Sequence, residues 1–232
     1  FAPPKPKNGI ALTVFEDRAK LQARLRALRT EFAKRCDLRG DWETVVDEVF
    51  NVVMFELVEN AIVHGRTPAT IAAWLASASG ADREGVMRLY PRDTQYLELV
   101  VTDDGPGLDS CLAVRADWTL PGFWQPSNAK SGSAMKAAEK AVLYGFEYGS
   151  TSDPAGRLAR IEELLGGVGS VDPSDVPTGL YCVLRAVHAA RGQLLVRTPG
   201  AIVSFDFYES PDRPVVKFVR ELGLSVLGRL PG

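Results

Sequence analysis

The stretch FELVENAIVHG, residues 55–65, decides the fold, and it ends a strongly patterned helix. Glu56 and Asn60 are four positions apart, so their side chains lie on one side of the helix, one turn from each other. A carboxylate one turn from a carboxamide, beside an apolar stripe, is a candidate site. Taken alone, the same residues are equally typical of a solvated polar helix face.

The residues before this stretch predict that the helix is long and mostly buried. It is expected to begin near Asp41, a suitable N-cap, and to end at the glycine after His64. Its apolar face consists of Val45, Val46, Val49, Phe50, Val53, Met54, Leu57, Val58, Ala61 and Ile62. Glu56, Glu59 and Asn60, together with His64, are the polar residues left near its end for chemistry.

A second informative stretch follows a predicted buried strand, YLELVVT at 96–102. Asp103, Gly105 and Gly107 come directly after it in a D-x-G-x-G pattern. Glycines allow a positive φ and let the backbone approach a ligand closely. A plain Asp-Gly turn between strands is the alternative interpretation. A phosphate loop of the G-x-x-x-x-G-K-[ST] type is absent from the sequence.

A third stretch combines a glycine, a helix and a hairpin. Gly179 and Leu180 open a predicted helix that ends near Ala190. Two predicted strands, 193–197 and 201–207, follow it and are joined by a Pro-Gly turn. Free backbone amides at the start of a helix form a ready anion site.

The three stretches, in this order, resemble the ATP-binding module of the GHKL superfamily, which DNA gyrase, heat-shock chaperones, histidine kinases and mismatch-repair proteins share. The resemblance covers about residues 10–208, and the form of 55–65 is similar to that of bacterial anti-sigma-factor serine kinases. It implies an α+β fold: a two-layer sandwich, the Bergerat ATP-binding fold, whose mixed, mostly antiparallel sheet is covered on one face by helices. Residues 1–232 would be one domain with a long ATP lid at 109–177 and an extension at 209–232.

The resemblance implies ATP and Mg²⁺ as cofactors and assigns the helix residues to the phosphate end. Glu56 would be the catalytic base that activates a water or a protein hydroxyl against the terminal phosphate. Asn60 would be the metal ligand, holding Mg²⁺ through its side-chain oxygen, because a hard cation prefers oxygen ligands.

The remaining site residues would bind the nucleotide itself. By the resemblance, Asp103 accepts the adenine amino group, and Gly105 and Gly107 leave room for the adenine and the sugar. The backbone amides of Gly179 and Leu180 would bind phosphate oxygens.

Two departures from the family pattern affect both ends of the expected nucleotide. The last glycine motif usually reads G-x-G-[LI]-G, but Gly179 is its single glycine here. Many members carry Gly-Thr in the hairpin, with a hydroxyl that supports the adenine aspartate, whereas this chain has Gly200-Ala201. These changes predict that phosphate is bound in a different way and that the adenine aspartate lacks its supporting hydroxyl.

Composition restricts the function classes further. The 232 residues carry a formal net charge of −2, which gives no general electrostatic reason to expect nucleic acid as a partner. No apolar run reaches about 18 residues, so no membrane span is expected. Cys36, Cys111 and Cys182 are widely spaced, which favours free thiols in a reducing, cytoplasmic compartment. The missing initiator methionine leaves open that the chain is a fragment.

Several functions fit these observations. The first is an ATP-dependent protein serine/threonine kinase or nucleotide switch acting on a partner protein, which would be a phosphoacceptor. An ATP-hydrolysing conformational ATPase, a histidine kinase fragment and a non-hydrolysing nucleotide sensor are the alternatives, and a homodimer is compatible with each. A histidine kinase needs a phosphoacceptor histidine on a dimerisation helix, and the predicted helix at 16–34 has none.

Other segments carry simpler predictions. Residues 70–78 fit a helix and a strand equally well. The remaining predicted elements are a strand at 10–15, a strand at 83–90, a helix at 133–142 and a helix at 215–227.

Overall fold

The structure, a computed structural model, belongs to the α+β class, which confirms that prediction. It describes residues 9–36, 38, 41–77, 95–114, 116, 118–119, 135–148, 150, 179–207 and 214–218. The helices of this part are α1 (Arg18–Cys36), α2 (Asp41–Glu48), α3 (Met54–Asn60), α4 (Leu108–Cys111), α5 (Ala137–Gly145) and α6 (Leu180–Ala189). Its strands are β1 (Gly9–Phe15), β2 (Ala69–Ser77), β3 (Gln95–Asp103), β4 (Gln193–Thr198), β5 (Ala201–Asp206) and β6 (Val215–Phe218).

The strands form two antiparallel sheets, where the sequence predicted a single mixed one. One sheet has the order β1-β2-β3 and the other the order β4-β5-β6. β2 and β3 pair without interruption from Ala69 opposite Asp103 to Ser77 opposite Gln95. The ambiguous segment 70–78 is therefore strand through Ser77, while the strand predicted at 83–90 lies outside the described residues.

The predicted long helix is present, but it is not a regular α-helix. Two π-helical segments, Val49–Val53 and Ala61–Gly65, flank α3, and the first joins it to α2. Apolar pairs recur every four residues along this helix. In an α-helix of about 3.6 residues per turn, each such repeat moves the apolar pair by about 40° around the helix axis. The wider π turns offset this drift. As a result, Val46, Phe50, Met54 and Val58 are all fully buried on one side.

Two hydrophobic cores share this helix. The first core joins α1 and the long helix to β1 and β2, and contains Ile10, Phe15, Leu21, Leu25, Phe32, Val46, Phe50, Met54, Val58, Ala61, Ala69, Ile71 and Ala73. The second joins α5 and α6 to β5 and β6, and contains Val53, Val142, Leu143, Phe146, Val183, Leu184, Val203, Phe205, Phe207, Val216 and Phe218. Each large side chain buried in this way contributes about 1.5–3 kcal/mol. Val53 therefore ties the long helix to the second core, and the helix is held from both sides.

The prediction of a helix at 215–227 is wrong for residues 215–218. These residues form β6, and the rest of the segment lies outside the described residues. Val216 lies opposite Phe205 and Phe218 lies opposite Val203, and all four side chains are buried. Alternating β-branched and aromatic residues with one buried face are typical of a strand. Part of the expected C-terminal extension therefore completes the second sheet.

The segment expected to form the lid contains part of the core. Val142, Leu143 and Phe146 are buried in the second core, so α5 is not part of a movable flap. The helix predicted at 133–142 begins at Ala137, because the Lys136 N–H donates to Oε2 of Glu139 at 2.8 Å, a capping contact. Residues 120–134 and 151–178 lie outside the described part.

Candidate functional site

A cleft of about 1860 Å³ lies beside the long helix. Its walls include the long helix, β3 and the loop after it, α4, parts of α5, both ends of α6, and the β4–β5 hairpin. The seven residues predicted from the sequence all line it: Glu56, Asn60, Asp103, Gly105, Gly107, Gly179 and Leu180. Three stretches that are distant in sequence thus line one concave surface, which is larger than the usual small-molecule pocket of about 300–1,000 Å³.

The side chain of Asn60 is held by its own helix. Its Nδ2 donates to the main-chain oxygen of Glu56 at 2.7 Å. A carbonyl oxygen can only accept, so the amide nitrogen must be the atom that faces it. The amide oxygen, Oδ1, is therefore the atom that Asn60 can offer to a cation.

Two glutamates on this helix have different surroundings. Glu56 is 8% exposed and lines the cleft. Glu59 is 6% exposed, and its Oε1 accepts from Nε and Nη2 of Arg18 in α1, both at 2.9 Å. The sequence interpretation placed Glu59 among residues left for chemistry, but this ion pair gives it a structural task.

Asp103 stands at the end of β3, exposed in the cleft. The Gly105 N–H donates to its Oδ1 at 2.8 Å, which fixes the carboxylate over its own loop. A Cβ on Gly65 would lie 3.4 Å from the same oxygen. The end of the long helix and the D-x-G-x-G loop therefore meet at this carboxylate, with Oδ2 as its second acceptor.

Gly179 opens α6 toward the cleft. Its φ is +67°, a backbone conformation that residues other than glycine rarely adopt. A Cβ on Gly179 would meet no described atom within 4 Å, so the space around it is open. The first amides of this ten-residue helix lie at the cleft wall with Leu180. This is the geometry in which helix amides bind an anion.

Two threonines near the D-x-G-x-G loop were not among the predicted site residues. Among the described residues, Thr67 Oγ1 and Thr198 Oγ1 are buried and have no hydrogen-bond partner. Thr198 lines the cleft, whereas Thr67 is not part of its wall, and a Cβ on Gly65 would lie 3.4 Å from Thr67 Oγ1. Thr198 ends β4 just before Pro199, and nothing in its local sequence distinguishes it from an ordinary strand residue. Its position opposite Gly107 arises from the tertiary fold.

The charge of the cleft is predominantly acidic in the part of the chain that the structure describes. Carboxylates on its wall outnumber cationic side chains. The carboxylates are Glu48, Glu56, Glu59, Glu98, Asp103, Asp104 and Glu139, and the cations are Arg18, Lys136, Arg191 and Arg197. A polyphosphate in this cleft would therefore need a metal ion to balance its charge.

The described residues contain no cluster of three or more His, Cys, Asp or Glu side chains able to hold a metal ion. Mg²⁺ commonly takes one or two protein oxygens, keeps several waters and completes its shell with substrate phosphates. The side-chain oxygen of Asn60 is of the ligand type that such an ion takes.

Two further sequence predictions concern membranes and thiols. In the described ranges, no helix combines the length and the apolar character needed to cross a bilayer. Cys36, Cys111 and Cys182 are free thiols, as predicted, and each is half-buried.

No protein-family model matches the chain, and neither a curated protein nor a solved structure matches it. The case for a function therefore depends on the geometry of the cleft.

Proposed function

We propose that this protein binds ATP with Mg²⁺ in the cleft and acts as an ATP-dependent protein serine/threonine kinase or nucleotide switch on a partner protein. The observation that carries the proposal is the convergence of the seven predicted residues on one cleft. They come from three stretches of the chain between Glu56 and Leu180.

The adenine end of the proposal is supported by Asp103. Its Oδ1 is occupied by the Gly105 N–H at 2.8 Å, so Oδ2 is available to accept from an exocyclic amino group. Adenine offers such a donor, and guanine offers a carbonyl at the same ring position. An acceptor facing an acceptor is disfavoured, so the site should select adenine over guanine.

The phosphate end of the proposal is supported by Asn60 and by the start of α6. Asn60 presents Oδ1 for Mg²⁺, and Gly179 and Leu180 offer helix amides for phosphate oxygens. The acidic cleft wall makes metal neutralisation of the triphosphate a requirement. Glu56, one turn before Asn60, is the proposed base for the attacking hydroxyl.

We further propose that the fold is a divided form of the Bergerat ATP-binding fold. The order of the long helix, the strand with its D-x-G-x-G loop, and the helix with its hairpin supports this assignment. The word divided refers to the two separate three-stranded sheets formed by the described strands.

Calorimetry with ATP, once in excess Mg²⁺ and once in EDTA, tests the proposal. We expect saturable 1:1 binding in Mg²⁺ and a loss of at least about tenfold in affinity in EDTA, because an acidic cleft repels bare ATP. GTP should bind more weakly. A protein that takes up no ATP under either condition would contradict the proposal.

Labelled ATP then distinguishes a kinase from a hydrolase. The protein is incubated with ATP labelled at the γ-phosphate, with and without co-purified proteins. Label on a serine or threonine of a partner supports the kinase, whereas label released only as phosphate favours the hydrolysing ATPase. Tight binding without any release indicates a nucleotide sensor.

A further inference from the structure

Each of the two sheets turns a terminal strand toward the cleft. Among the described strands, β3 pairs only with β2, and β4 pairs only with β5. Residues 97–103 of β3 and 193–198 of β4 all line the cleft, without a gap in either run. Successive side chains of a strand point to opposite faces of its sheet, so an unbroken run borders the cleft with its edge rather than with one face. Two strand edges therefore border the same space.

The cleft is larger than a nucleotide alone requires. Its volume of about 1860 Å³ compares with about 300–1,000 Å³ for the usual small-molecule site. A strand of seven residues takes up roughly 1,100 Å³, because each residue adds about 3.3 Å of length, and neighbouring strands and packed sheets lie about 4.8 Å and 10 Å apart. The cleft can therefore hold an extended segment beside a small ligand.

The inner wall of this space is largely apolar. It carries side chains of the long helix, of α6 and of the inner faces of β3 and β4: Val45, Val49, Leu97, Leu99, Val187 and Leu194. All six are only partly buried. Apolar surface therefore remains for an added strand to cover with every second side chain.

Charge distinguishes the two strand edges. The acidic residues Glu98, Asp103 and Asp104 lie in β3 or directly after it, and all three line the cleft. Arg197 lies in β4 and Arg191 two residues before it, and both line the cleft as well. Basic side chains of a bound segment are therefore favoured beside β3 and disfavoured beside β4.

We propose that the cleft binds an extended, basic segment of the partner protein, which adds to the edge of β3 as a further strand of the first sheet. Its main chain would pair with β3, every second residue would be apolar and cover the inner wall, and basic residues would alternate with them. The role of this segment as part of the partner rests on the proposed function, whereas its binding to the cleft requires no nucleotide.

A synthetic peptide of four lysines alternating with three valines tests this inference. It is labelled with a dye and titrated with the unmodified protein without nucleotide, and we expect saturable 1:1 binding by fluorescence anisotropy. A peptide with glycine in place of valine keeps the charge and should bind at least about tenfold more weakly, because it covers no apolar wall. Equal binding of both peptides would show a general attraction of cations to an acidic surface and would overturn the proposal.

Methylated peptides test the strand edge itself. In a β-strand the N–H groups of successive residues point to opposite edges, so methylating the valine nitrogens blocks one edge and methylating the lysine nitrogens blocks the other. One methylated peptide should bind as the unmethylated peptide does, and the other should not bind detectably. Equal affinities of the two methylated peptides would exclude a strand added to one edge.

Val100→Lys and Val14→Lys test the location. Both valines are exposed, at 38% and 44%, and both lie in the first sheet, but Val14 belongs to β1 and is not among the described residues that line the cleft. Val100→Lys should repel the peptide and weaken its binding about tenfold, whereas Val14→Lys makes the same change in charge and should leave it unchanged. Leu195→Lys changes the exposed surface of β4. A larger loss there than in Val100→Lys would place the segment on β4 and overturn the assignment.

Calorimetry with ATP on the unmodified protein separates this inference from the proposed function. Binding of ATP without binding of the valine-containing peptide would overturn the inference alone. Binding of the peptide without binding of ATP would support the strand site and contradict the proposed function. A protein that binds neither would overturn both.

Discussion

Gly105 packs directly against Gly65. A Cβ on Gly105 would lie 3.0 Å from the Cα of Gly65 and 2.6 Å from Oδ1 of Asp103. The end of the long helix and the loop after β3 thus meet backbone to backbone, with no side chain between them. This contact sets the distance between the helix that carries Glu56 and Asn60 and the carboxylate of Asp103.

Gly105→Ala should separate the two motifs. The added methyl group has no room beside Asp103, so we expect a loss of about 1–3 kcal/mol in the free energy of unfolding and weaker ATP binding. Urea unfolding and calorimetry measure the two effects. Gly145→Ala is the control, because its nearest neighbour is the flexible end of Leu112 at 3.3 Å. Equal stability of the two variants would contradict the close contact.

Asp103→Asn should abolish detectable ATP binding, a loss of at least about 100-fold. The Gly105 N–H would keep the amide oxygen, so the new NH₂ group would face the adenine amino group, a donor against a donor. Asp104→Asn removes the neighbouring carboxylate of the same cleft and should change ATP affinity by less than about threefold. Unchanged binding in Asp103→Asn, measured by calorimetry, would rule out its role in base recognition.

Glu56→Gln should separate binding from turnover. The amide keeps the shape of the side chain but cannot take a proton, so phosphoryl transfer or hydrolysis should fall by about 10²–10⁴-fold while ATP affinity stays within about threefold. Glu48→Gln, an exposed glutamate of the same helix and cleft, should leave turnover unchanged. Release of labelled phosphate measures both variants, and full turnover in Glu56→Gln would exclude Glu56 as the base.

Arg18→Ala should destabilise the fold more than Arg29→Ala does. Both arginines connect α1 to the long helix, but Glu59 is buried and the Asp47 partner of Arg29 is about half exposed. Arg18 is itself 60% exposed, so we expect a loss of about 1–2 kcal/mol for Arg18→Ala and less than about 1 kcal/mol for Arg29→Ala. Denaturant unfolding compares them. The reverse order would show that Glu59 does not depend on Arg18.

Asp17 should make the start of α1 sensitive to pH. The bond from the Ala19 N–H, and then the Lys20 side chain, hold the pKa of Asp17 below its usual value of 3.8. Because the folded pKa is the lower one, this stabilisation is complete above the usual pKa and is lost as the pH falls through the folded pKa.

Two substitutions of Asp17 separate the effect of its charge on stability from the effect of its capping contact at the helix start. Asp17→Asn keeps a side-chain oxygen for the helix start but does not titrate. At neutral pH the thermal midpoint of the unmodified protein should exceed that of the Asp17→Asn variant. The difference should disappear as the pH falls through the pKa that Asp17 has in the folded protein. Asp17→Ala should be less stable than Asp17→Asn at every pH. A difference between the Asp and Asn proteins that does not depend on pH would contradict the charge effect.

The sequence determined the elements that carry the cleft. The apolar pattern before Gly65 predicted the long helix, and the β-branched run before Asp103 predicted β3. These predictions succeeded because periodicity and glycine placement act locally, over a turn or a strand. The same local signals identified the seven residues that line the cleft, although their roles stay predictions.

The tertiary structure decided what local signals cannot encode. The four-residue spacing of Val46, Phe50, Met54 and Val58 was visible in the sequence, but the π segments that keep these residues on one side form because two cores hold the helix. β6 is a strand because β5 offers it an edge, and Thr198 meets Gly107 because the hairpin folds onto the loop. Such contacts join residues far apart in the chain, so their free energy exists only once the chain has closed on itself.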